Sequence, residues 1–210
     1  MPRKISTTPR KSPQQDRSKI TVDAILTATT HILTKEGYDT ASTNRIAELA
    51  GVSIGSLYQY FPNKEALIAS LIEHHANEMV ELVESKLRDL FDAPIEVVFH
   101  KLVKACIEAH AVNPKLHKVL NEQVPRIGRL KKVAHAEEQI AALIHTYLEK
   151  WRYQVKPQNL DLTVFMIGTI VESLTHTAVI EHPEFISGGQ LEQEITNLLL
   201  AYVVGDTSQK

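Results

Sequence analysis

The chain has 210 residues, with 23 Lys and Arg, 25 Asp and Glu, a single Cys and 43% hydrophobic residues. This length suffices for one or two domains with packed cores, while one cysteine excludes an internal disulfide and a zinc site made of four cysteines. Apolar runs such as residues 164–171 are far shorter than the roughly 18–20 residues that cross a bilayer, and no apolar stretch follows the basic start. We therefore expect a soluble, cytoplasmic protein.

Residues 1–17 are predicted to form a flexible basic arm. Residues 1–19 contain six basic residues and one acidic residue, a net charge of +5, so the rest of the chain carries −7. The many Pro, Ser, Thr and Gln residues of the arm bury too little apolar surface to order it. A basic end on an otherwise acidic chain indicates contact with a polyanion, although a solvated tail without a partner has the same composition.

Apolar residues at helical spacing, without any alternating strand pattern, predict an all-α fold of about nine helices. The first helix carries its apolar stripe from Val22 and ends at Gly37. The second is expected to turn Ile46, Leu49 and Ala50 inward. The other helices are predicted at residues 54–61, 64–90, 94–112, 115–123, 125–151, 160–180 and 191–204, the seventh of the nine opening at Pro125.

Residues 42–61 are the most informative segment, because they predict a helix, a tight turn at Gly51 and a second helix. With Leu57 and Phe61 facing the core, the second helix keeps a polar, aromatic and nearly uncharged outer face. Such a face suits the DNA major groove, where Gln59 can bond base edges while hydroxyl groups, a helix start and Lys64 meet phosphates. The predicted DNA-binding residues are Thr43, Asn44, Arg45, Ser53, Gly55, Ser56, Tyr58, Gln59, Tyr60 and Lys64.

Three stretches of this segment, TNRIA at 43–47, AGVS at 50–53 and GSLYQYFPNKEAL at 55–67, resemble the signature of the tetracycline-repressor (TetR) family of transcriptional regulators. The resemblance covers residues 19–72; beyond them only the number and order of helices agree. It implies a helix-turn-helix DNA-binding domain at residues 18–63, followed by a helical ligand-binding and dimerisation domain at 64–210.

The resemblance also implies a homodimer in which the last two long helices, 160–181 and 190–204, form a four-helix bundle with their partners. The sequence agrees, because these helices carry more apolar surface than one small domain is expected to bury. A monomer core is the alternative explanation. The predicted dimer interface consists of Ile167, Ile170, Val171, Leu174, Ala178, Leu191, Ile195, Leu198, Leu199 and Tyr202.

By the same resemblance, a small-molecule cavity lies among the helices of the C-terminal domain. The predicted ligand contacts are Phe99, Val103, His110, Leu120, Tyr147, Trp151, Phe165 and Glu172. No metal or other cofactor is expected. No two histidines are three or four residues apart, as a helical chelate requires, and Cys106 lies on an apolar helix face where a thiol is inert.

These observations predict a ligand-responsive transcriptional regulator, a repressor that binds a palindromic DNA operator as a homodimer and is released by a small molecule. The alternative is a dimeric DNA-binding protein that has no small-molecule effector and recruits a protein partner. An enzyme is not expected, because the sequence contains no Gly-rich phosphate loop, nucleophile elbow or His-Glu-x-x-His motif. The effector and the operator are left open.

Overall fold

A computed structural model describes residues 8–9, 16–127 and 130–205. Over these ranges the chain forms nine α-helices and no strand, which confirms the all-α prediction. The predicted arm at 1–17 lies outside the described residues except at 8–9 and 16–17. The helices are α1 Asp16–Glu36, α2 Thr43–Leu49, α3 Ile54–Tyr60, α4 Lys64–Asp89, α5 Ile95–Ala111, α6 Pro114–Ile127, α7 Lys131–Lys150, α8 Leu160–Glu181 and α9 Gln190–Val203, with a 3₁₀ turn at Pro183–Phe185.

The helix ends agree with the sequence prediction except at two places. α1 begins at Asp16, earlier than the apolar stripe that starts at Val22. The prediction that a helix opens at Pro125 is wrong, because α6 continues through this proline and α7 begins only at Lys131. A proline close to the end of a helix removes one backbone N–H, and in α6 that loss does not stop the helix.

The chain divides into two compact units. The first unit comprises residues up to His75 together with Lys115–Val133, and the second comprises Ala76–Pro114 together with the chain from Ala134 onward. The division falls within α4, whereas the sequence places the domain boundary at residue 64.

In the first unit, α1, α2, α3 and the start of α4 pack around one apolar core. Ile25, Ile46, Leu57 and Leu67 are completely buried there, and Phe61 is nearly so. Full burial of a large apolar side chain stabilises a fold by about 1.5–3 kcal/mol relative to leaving it exposed. The predicted inward orientation of Leu57 and Phe61 is thus confirmed.

Side-chain caps and one glycine fix the helix boundaries around α2 and α3. The Ser42 hydroxyl accepts a backbone N–H three residues later at 3.3 Å, and the Ser53 hydroxyl does the same at 3.0 Å. The Asn63 side chain caps α4 in the same way at 2.8 Å. Between α2 and α3, Gly51 has φ of +66°, a left-handed conformation that favours glycine, so the chain reverses there.

In the second unit, α5 packs against α8 and α9. The core includes Ile95, Leu148, Ile195 and Val203, all nearly or completely buried. The Asn159 side chain accepts a backbone N–H at 3.0 Å and so begins α8.

Among the described helices, α8 is the one that is long and apolar enough to cross a membrane by length and composition alone. The core helix of a globular domain passes the same test, and α8 packs into the second unit through the buried Thr163, Thr175 and Ala178. Asp161 and Glu172 place charges on its exposed side.

Candidate nucleic-acid interface and ligand cavity

The outer face of α3 consists of Gly55, Ser56, Tyr58 and Gln59, which lie on the side away from the buried Leu57. Gly55, Tyr58 and Gln59 are exposed and Ser56 is half-buried. The face offers an amide, two hydroxyl groups and an aromatic ring, and it carries no charge. Such groups donate and accept hydrogen bonds at base edges, where sequence is read, rather than supplying only general attraction to phosphate.

Gly55 leaves open space on this face. A Cβ atom added there would meet only the Ser53 hydroxyl oxygen, at an ordinary 3.7 Å. The fold itself therefore does not require glycine at this position. A glycine that the fold does not require permits close approach of an outside backbone.

Two hydrogen bonds join residues on the outer face of α3 to residues that precede this helix in the same chain. The hydroxyl groups of Thr43 and Tyr58 lie 2.9 Å apart, which joins the first turn of α2 to α3. The hydroxyl groups of Ser53 and Ser56 lie 2.8 Å apart. Four of the predicted DNA-binding residues are thus held in two pairs, and Asn44 lies exposed near the first pair.

The two predicted cationic contacts both have partners within the first unit. The guanidinium of Arg45 lies 2.8 Å from the Glu36 carboxylate, in a pair whose arginine is exposed and whose glutamate is half-buried. The Lys64 ammonium donates to the Tyr38 carbonyl at 2.7 Å and lies 3.8 Å from the centre of the Tyr38 ring. Lys64 therefore supports the fold of the first unit as well as adding positive charge near α3.

The placement of Tyr60 on the outer face is corrected by the structure. Its side chain is only 8% exposed and belongs to the core of the first unit. Tyr60 follows Leu57 by three residues, and residues three apart share a helix face. The buried ring supports α3 from the inside and is not available to a phosphate.

Two exposed apolar side chains, Leu49 and Ile54, flank the turn at Gly51. The sequence does not predict the exposure of either one. Leu49, expected on the inner face of α2, is 53% exposed, and Ile54 is also exposed. α2 is seven residues long and buries only Ile46 and Ala47. Apolar groups at a DNA-reading surface can contact thymine methyl groups.

The second unit encloses a cavity of about 110 Å³. α4, α5, α7, α8 and α9 all contribute to its wall, which is apolar apart from Cys106, Tyr147 and Glu172. A cavity of this size is smaller than the roughly 300–1,000 Å³ of most ligand pockets. An effector of ordinary size therefore fits only if the surrounding helices move.

Four predicted ligand contacts line this cavity, namely Phe99, Val103, Tyr147 and Glu172. The buried His110 lies next to it, with its Nε2 3.8 Å from the Glu172 carboxylate. The remaining three predictions are corrected. Leu120 belongs to the core of the first unit, Trp151 packs half-buried against the core of the second unit, and Phe165 is exposed.

Tyr147 is a structural residue as well as part of the cavity wall. Its hydroxyl donates to the Ala93 carbonyl at 2.9 Å. Burial raises the pKa of the Tyr147 hydroxyl, and the nearby Glu96 carboxylate adds to the shift. The phenol is thus a neutral donor already engaged with the backbone.

A polar cluster, which we call the Cys–His cluster, lies between α5 and α8 and consists of Cys106, His110, Glu172 and His176. The Cys106 sulfur, a ring nitrogen of His110 and a Glu172 oxygen lie within 4.8 Å of one another. His176 Nε2 lies 3.1 Å from Glu172, and the two imidazole rings meet edge to face at 4.7 Å. This is a set of ligand types that bind divalent metals.

Burial shapes the titration of the cluster. Desolvation raises the pKa of the Cys106 thiol to about 12, with a further contribution from the Glu172 carboxylate. Desolvation lowers the pKa of His110, against a smaller opposing effect of Glu172. Both side chains are therefore neutral near pH 7. The sequence does carry a signal for this cluster, because each helix places two of its members four residues apart, but the spacing of histidines alone does not reveal it.

Four residues of the predicted dimer interface are buried in the core of the single chain. Ile167, Ala178, Ile195 and Leu199 are buried within the second unit, so they cannot form an exposed contact surface. This corrects their assignment. The half-buried members of the predicted set are Ile170, Val171, Leu191 and Tyr202.

The exposed side of α8 and α9 nevertheless remains apolar. Leu174 is 40% exposed and Leu198 is 48% exposed, as expected for contact residues. Leu162, Phe165 and Met166 are also exposed on α8, although the sequence predicts a ligand contact for Phe165 and no interface role for any of the three. Exposed large apolar side chains are typical of interaction surfaces when they form one patch.

Two family models match the chain. Residues 25–71 match the model of bacterial regulatory proteins of the tetR family, and residues 94–202 match the tetracyclin repressor-like C-terminal domain. The second match alone covers more than half of the chain. The first includes α2, α3 and the turn between them.

Curated relatives match over different lengths. Nucleoid occlusion factor SlmA of Haemophilus influenzae is 30% identical over 97 residues, covering 46% of this chain and 44% of that protein. The match therefore spans less than half of that relative. The uncharacterized HTH-type transcriptional regulator YhgD of Bacillus subtilis is 26% identical over 195 residues, covering 90% of this chain and 95% of that protein.

Solved structures share the fold over nearly the whole chain. The fatty acid degradation regulator FadR of Bacillus halodurans has a TM-score of 0.70 at 21% identity. The match covers 90% of this chain and 97% of the FadR chain. FadR of Thermus thermophilus is a transcriptional repressor in complex with lauroyl-CoA. Its TM-score is 0.63 at 19% identity, and the match covers 90% of this chain and 96% of that chain.

Proposed function

The chain belongs to the TetR family of transcriptional regulators, and we propose that it is a ligand-responsive repressor that binds a palindromic operator as a homodimer. A small molecule in the cavity of the second unit releases it from DNA. The protein acts in the cytoplasm, where bacterial DNA lies.

The outer face of α3 is the observation that carries the DNA-binding proposal. It combines the exposed Gln59 amide with the Tyr58 and Ser56 hydroxyls and with open space at Gly55. We assign base recognition to Gln59, because its amide can bond adenine in two places at once, and we assign phosphate or sugar contacts to the hydroxyl groups. Arg45 and Lys64 add positive charge beside this face.

Exposed apolar side chains of α8 and α9 support the proposed homodimer. Leu162, Phe165, Met166, Leu174 and Leu198 are large apolar side chains that water surrounds in the single chain. In a dimer with two-fold symmetry, this surface of one copy packs against the same surface of the other copy. Both apolar surfaces are then removed from water. Two α3 helices then enter successive major grooves about 34–36 Å apart.

The cavity supports an effector that is largely apolar and has one polar group. Its wall is apolar except near Cys106, Tyr147 and Glu172. FadR of Bacillus halodurans is a fatty acid degradation regulator, and FadR of Thermus thermophilus is in complex with lauroyl-CoA. An acyl chain suits the apolar wall, so acyl-CoA thioesters are the first compounds to test.

The small volume of the cavity suggests how binding changes DNA affinity. At about 110 Å³, the cavity must widen to admit an acyl chain, and α4 supplies Met79, Leu82, Val83 and Leu87 to its wall. The N-terminal part of α4 belongs to the first unit. A shift of α4 therefore acts as a lever on the DNA-reading helices, and a coupling free energy of about 1–3 kcal/mol is enough for regulation.

Selection of bound duplexes from a random DNA pool tests the proposal. We expect a two-fold symmetric motif, with affinity that falls steeply as salt is raised. Gln59→Ala should relax the motif, whereas Gln158→Ala, an exposed glutamine of the second unit, should leave it unchanged. Lauroyl-CoA should then release the selected duplex. No enriched motif for the wild-type protein would contradict the DNA-binding proposal.

The small cavity also favours a second candidate, a dimeric DNA-binding protein without a small-molecule effector that recruits a protein partner. The relationship to a nucleoid occlusion factor is compatible with this function. Thermal-shift screening separates the two candidates, because an effector that binds the native state raises the melting temperature. Protection by acyl-CoA supports the repressor, and a selected operator with no protection by any compound favours recruitment.

A further inference from the structure

We infer that the Cys–His cluster, Cys106, His110, Glu172 and His176, is a binding site for a divalent transition-metal ion of the zinc type. The site lies entirely within the second unit and does not depend on the proposed function. A thiol, two imidazoles and a carboxylate together supply the four ligands of a tetrahedral site.

The helical register brings the four groups together. Cys106 and His110 are four residues apart on α5, and Glu172 and His176 are four residues apart on α8. Residues at this spacing share one face of a helix and can bind one ion between them. Because α5 packs against α8, the two chelating pairs face each other.

The distances from Glu172 to the two histidines are close to those that an ion requires. A zinc ion lies about 2.3 Å from sulfur and about 2.0–2.2 Å from nitrogen or oxygen, so tetrahedral ligand atoms are roughly 3.3–3.8 Å apart. His110 Nε2 lies 3.8 Å from one Glu172 oxygen, and His176 Nε2 lies 3.1 Å from the other. The Cys106 sulfur lies 3.8 Å from His110 Nδ1 and within 4.8 Å of a Glu172 oxygen, so its side chain must rotate toward Nε2 and the carboxylate to complete the site.

A hydrogen bond prepares His110 to act as a ligand. Its Nδ1 lies 2.8 Å from the Cys106 carbonyl oxygen, which can only accept, so Nδ1 must donate. The neutral ring then carries its lone pair on Nε2, the nitrogen nearer to Glu172. A donor bond from the second ring nitrogen to a backbone carbonyl is the usual way in which a metal-bound histidine is oriented.

The cluster has buried ligands that can retain an ion and one exposed ligand past which an ion can enter. Cys106 and His110 are buried, whereas the Glu172 side chain is 60% exposed and lines the cavity. An ion can therefore enter past Glu172 and bind deeper. Binding forms a metal–sulfur bond, and the thiol proton leaves to solvent. The buried thiolate is then neutralised by the ion, which offsets the cost of burying its charge.

A second histidine–carboxylate pair in the same unit serves as a matched control. His100 Nε2 lies 3.1 Å from Glu192, the same distance as in the His176–Glu172 pair, but among the residues that the structure describes neither a cysteine nor a second histidine completes a group there. If a histidine beside a carboxylate were sufficient for metal binding, His100→Gln would change metal uptake as much as a change in the Cys–His cluster.

Cobalt(II) titration of the purified full chain, in the absence of DNA, tests the site. We expect one Co²⁺ per chain, with thiolate-to-cobalt charge-transfer absorption in the near ultraviolet, and displacement by Zn²⁺. Cys106→Ser should abolish the charge-transfer band. Glu172→Gln, at an exposed position that tolerates substitution, should weaken Zn²⁺ binding by at least about 10-fold, and His100→Gln should change nothing.

Circular dichroism of each variant shows whether its helices are intact, so a folding defect is recognised as such. Failure of the wild-type protein to take up Co²⁺ would overturn the site. Uptake without a thiolate band, or uptake that is unchanged in both Cys106→Ser and Glu172→Gln, would do the same. Because no DNA is present, these outcomes are independent of whether the protein is a repressor.

Discussion

The hydroxyl groups of Thr43 and Tyr58 lie 2.9 Å apart, so a hydrogen bond joins the first turn of α2 to the outer face of α3. The bond is exposed and contributes little to folding. It does fix the orientation of the Tyr58 ring before any DNA arrives, and a side chain that is already ordered loses less entropy on binding.

Tyr58→Phe tests this arrangement, because it keeps the ring and removes the hydroxyl. We expect operator affinity to fall about 2–10-fold, corresponding to about 0.5–1.5 kcal/mol for one hydrogen bond, with the free energy of unfolding nearly unchanged. Fluorescence anisotropy with the selected duplex measures the effect. Tyr153→Phe, at an exposed tyrosine of the second unit, is the control, and equal affinity losses in both variants would contradict the prediction.

Lys64→Ala is expected to change both stability and DNA binding. Its ammonium donates to the Tyr38 carbonyl and lies over the Tyr38 ring, so its loss should destabilise the protein by about 1 kcal/mol. Loss of a phosphate contact should also weaken binding to all DNA sequences and lower the salt slope by about one. Urea unfolding and salt titration measure the two effects. A lower stability with an unchanged slope would show that Lys64 has only the structural role.

Leu57→Ala and Leu49→Ala should differ sharply in stability. Leu57 is completely buried, so truncation should cost about 2–5 kcal/mol through lost burial and the cavity that it leaves. Leu49 is 53% exposed, so its truncation should stay within about 0.5 kcal/mol. Thermal or urea unfolding checks both variants. Comparable losses would place Leu49 in the core, as the sequence pattern alone had predicted.

Leu174→Glu should weaken the dimer without unfolding the chain. Leu174 is exposed on α8, so a charge there is solvated in the monomer and costly in an apolar interface. Light scattering after size-exclusion chromatography should show a monomer at concentrations where the wild-type protein is a dimer. Ile167→Ala, in the buried core, should instead lower stability by about 2–5 kcal/mol. A dimeric Leu174→Glu protein would place the interface elsewhere.

The sequence by itself determined the parts of this protein that depend on neighbouring residues along the chain. Helical spacing of apolar residues predicted the all-α fold, and Gly51 predicted the turn between α2 and α3. The inward faces of Leu57 and Phe61 followed from the same spacing. Caps, turns and periodicity act over a few residues, so a single sequence is enough to recognise them.

Only the tertiary structure decided which side of an apolar stripe is buried and which distant groups meet. It turned Tyr60 inward and Leu49 outward. It placed Leu120 in the core of the first unit, and it brought Cys106 and His110 to Glu172. Burial and long-range contact depend on how whole helices pack, and spacing along one helix carries no information about the side chains on the next.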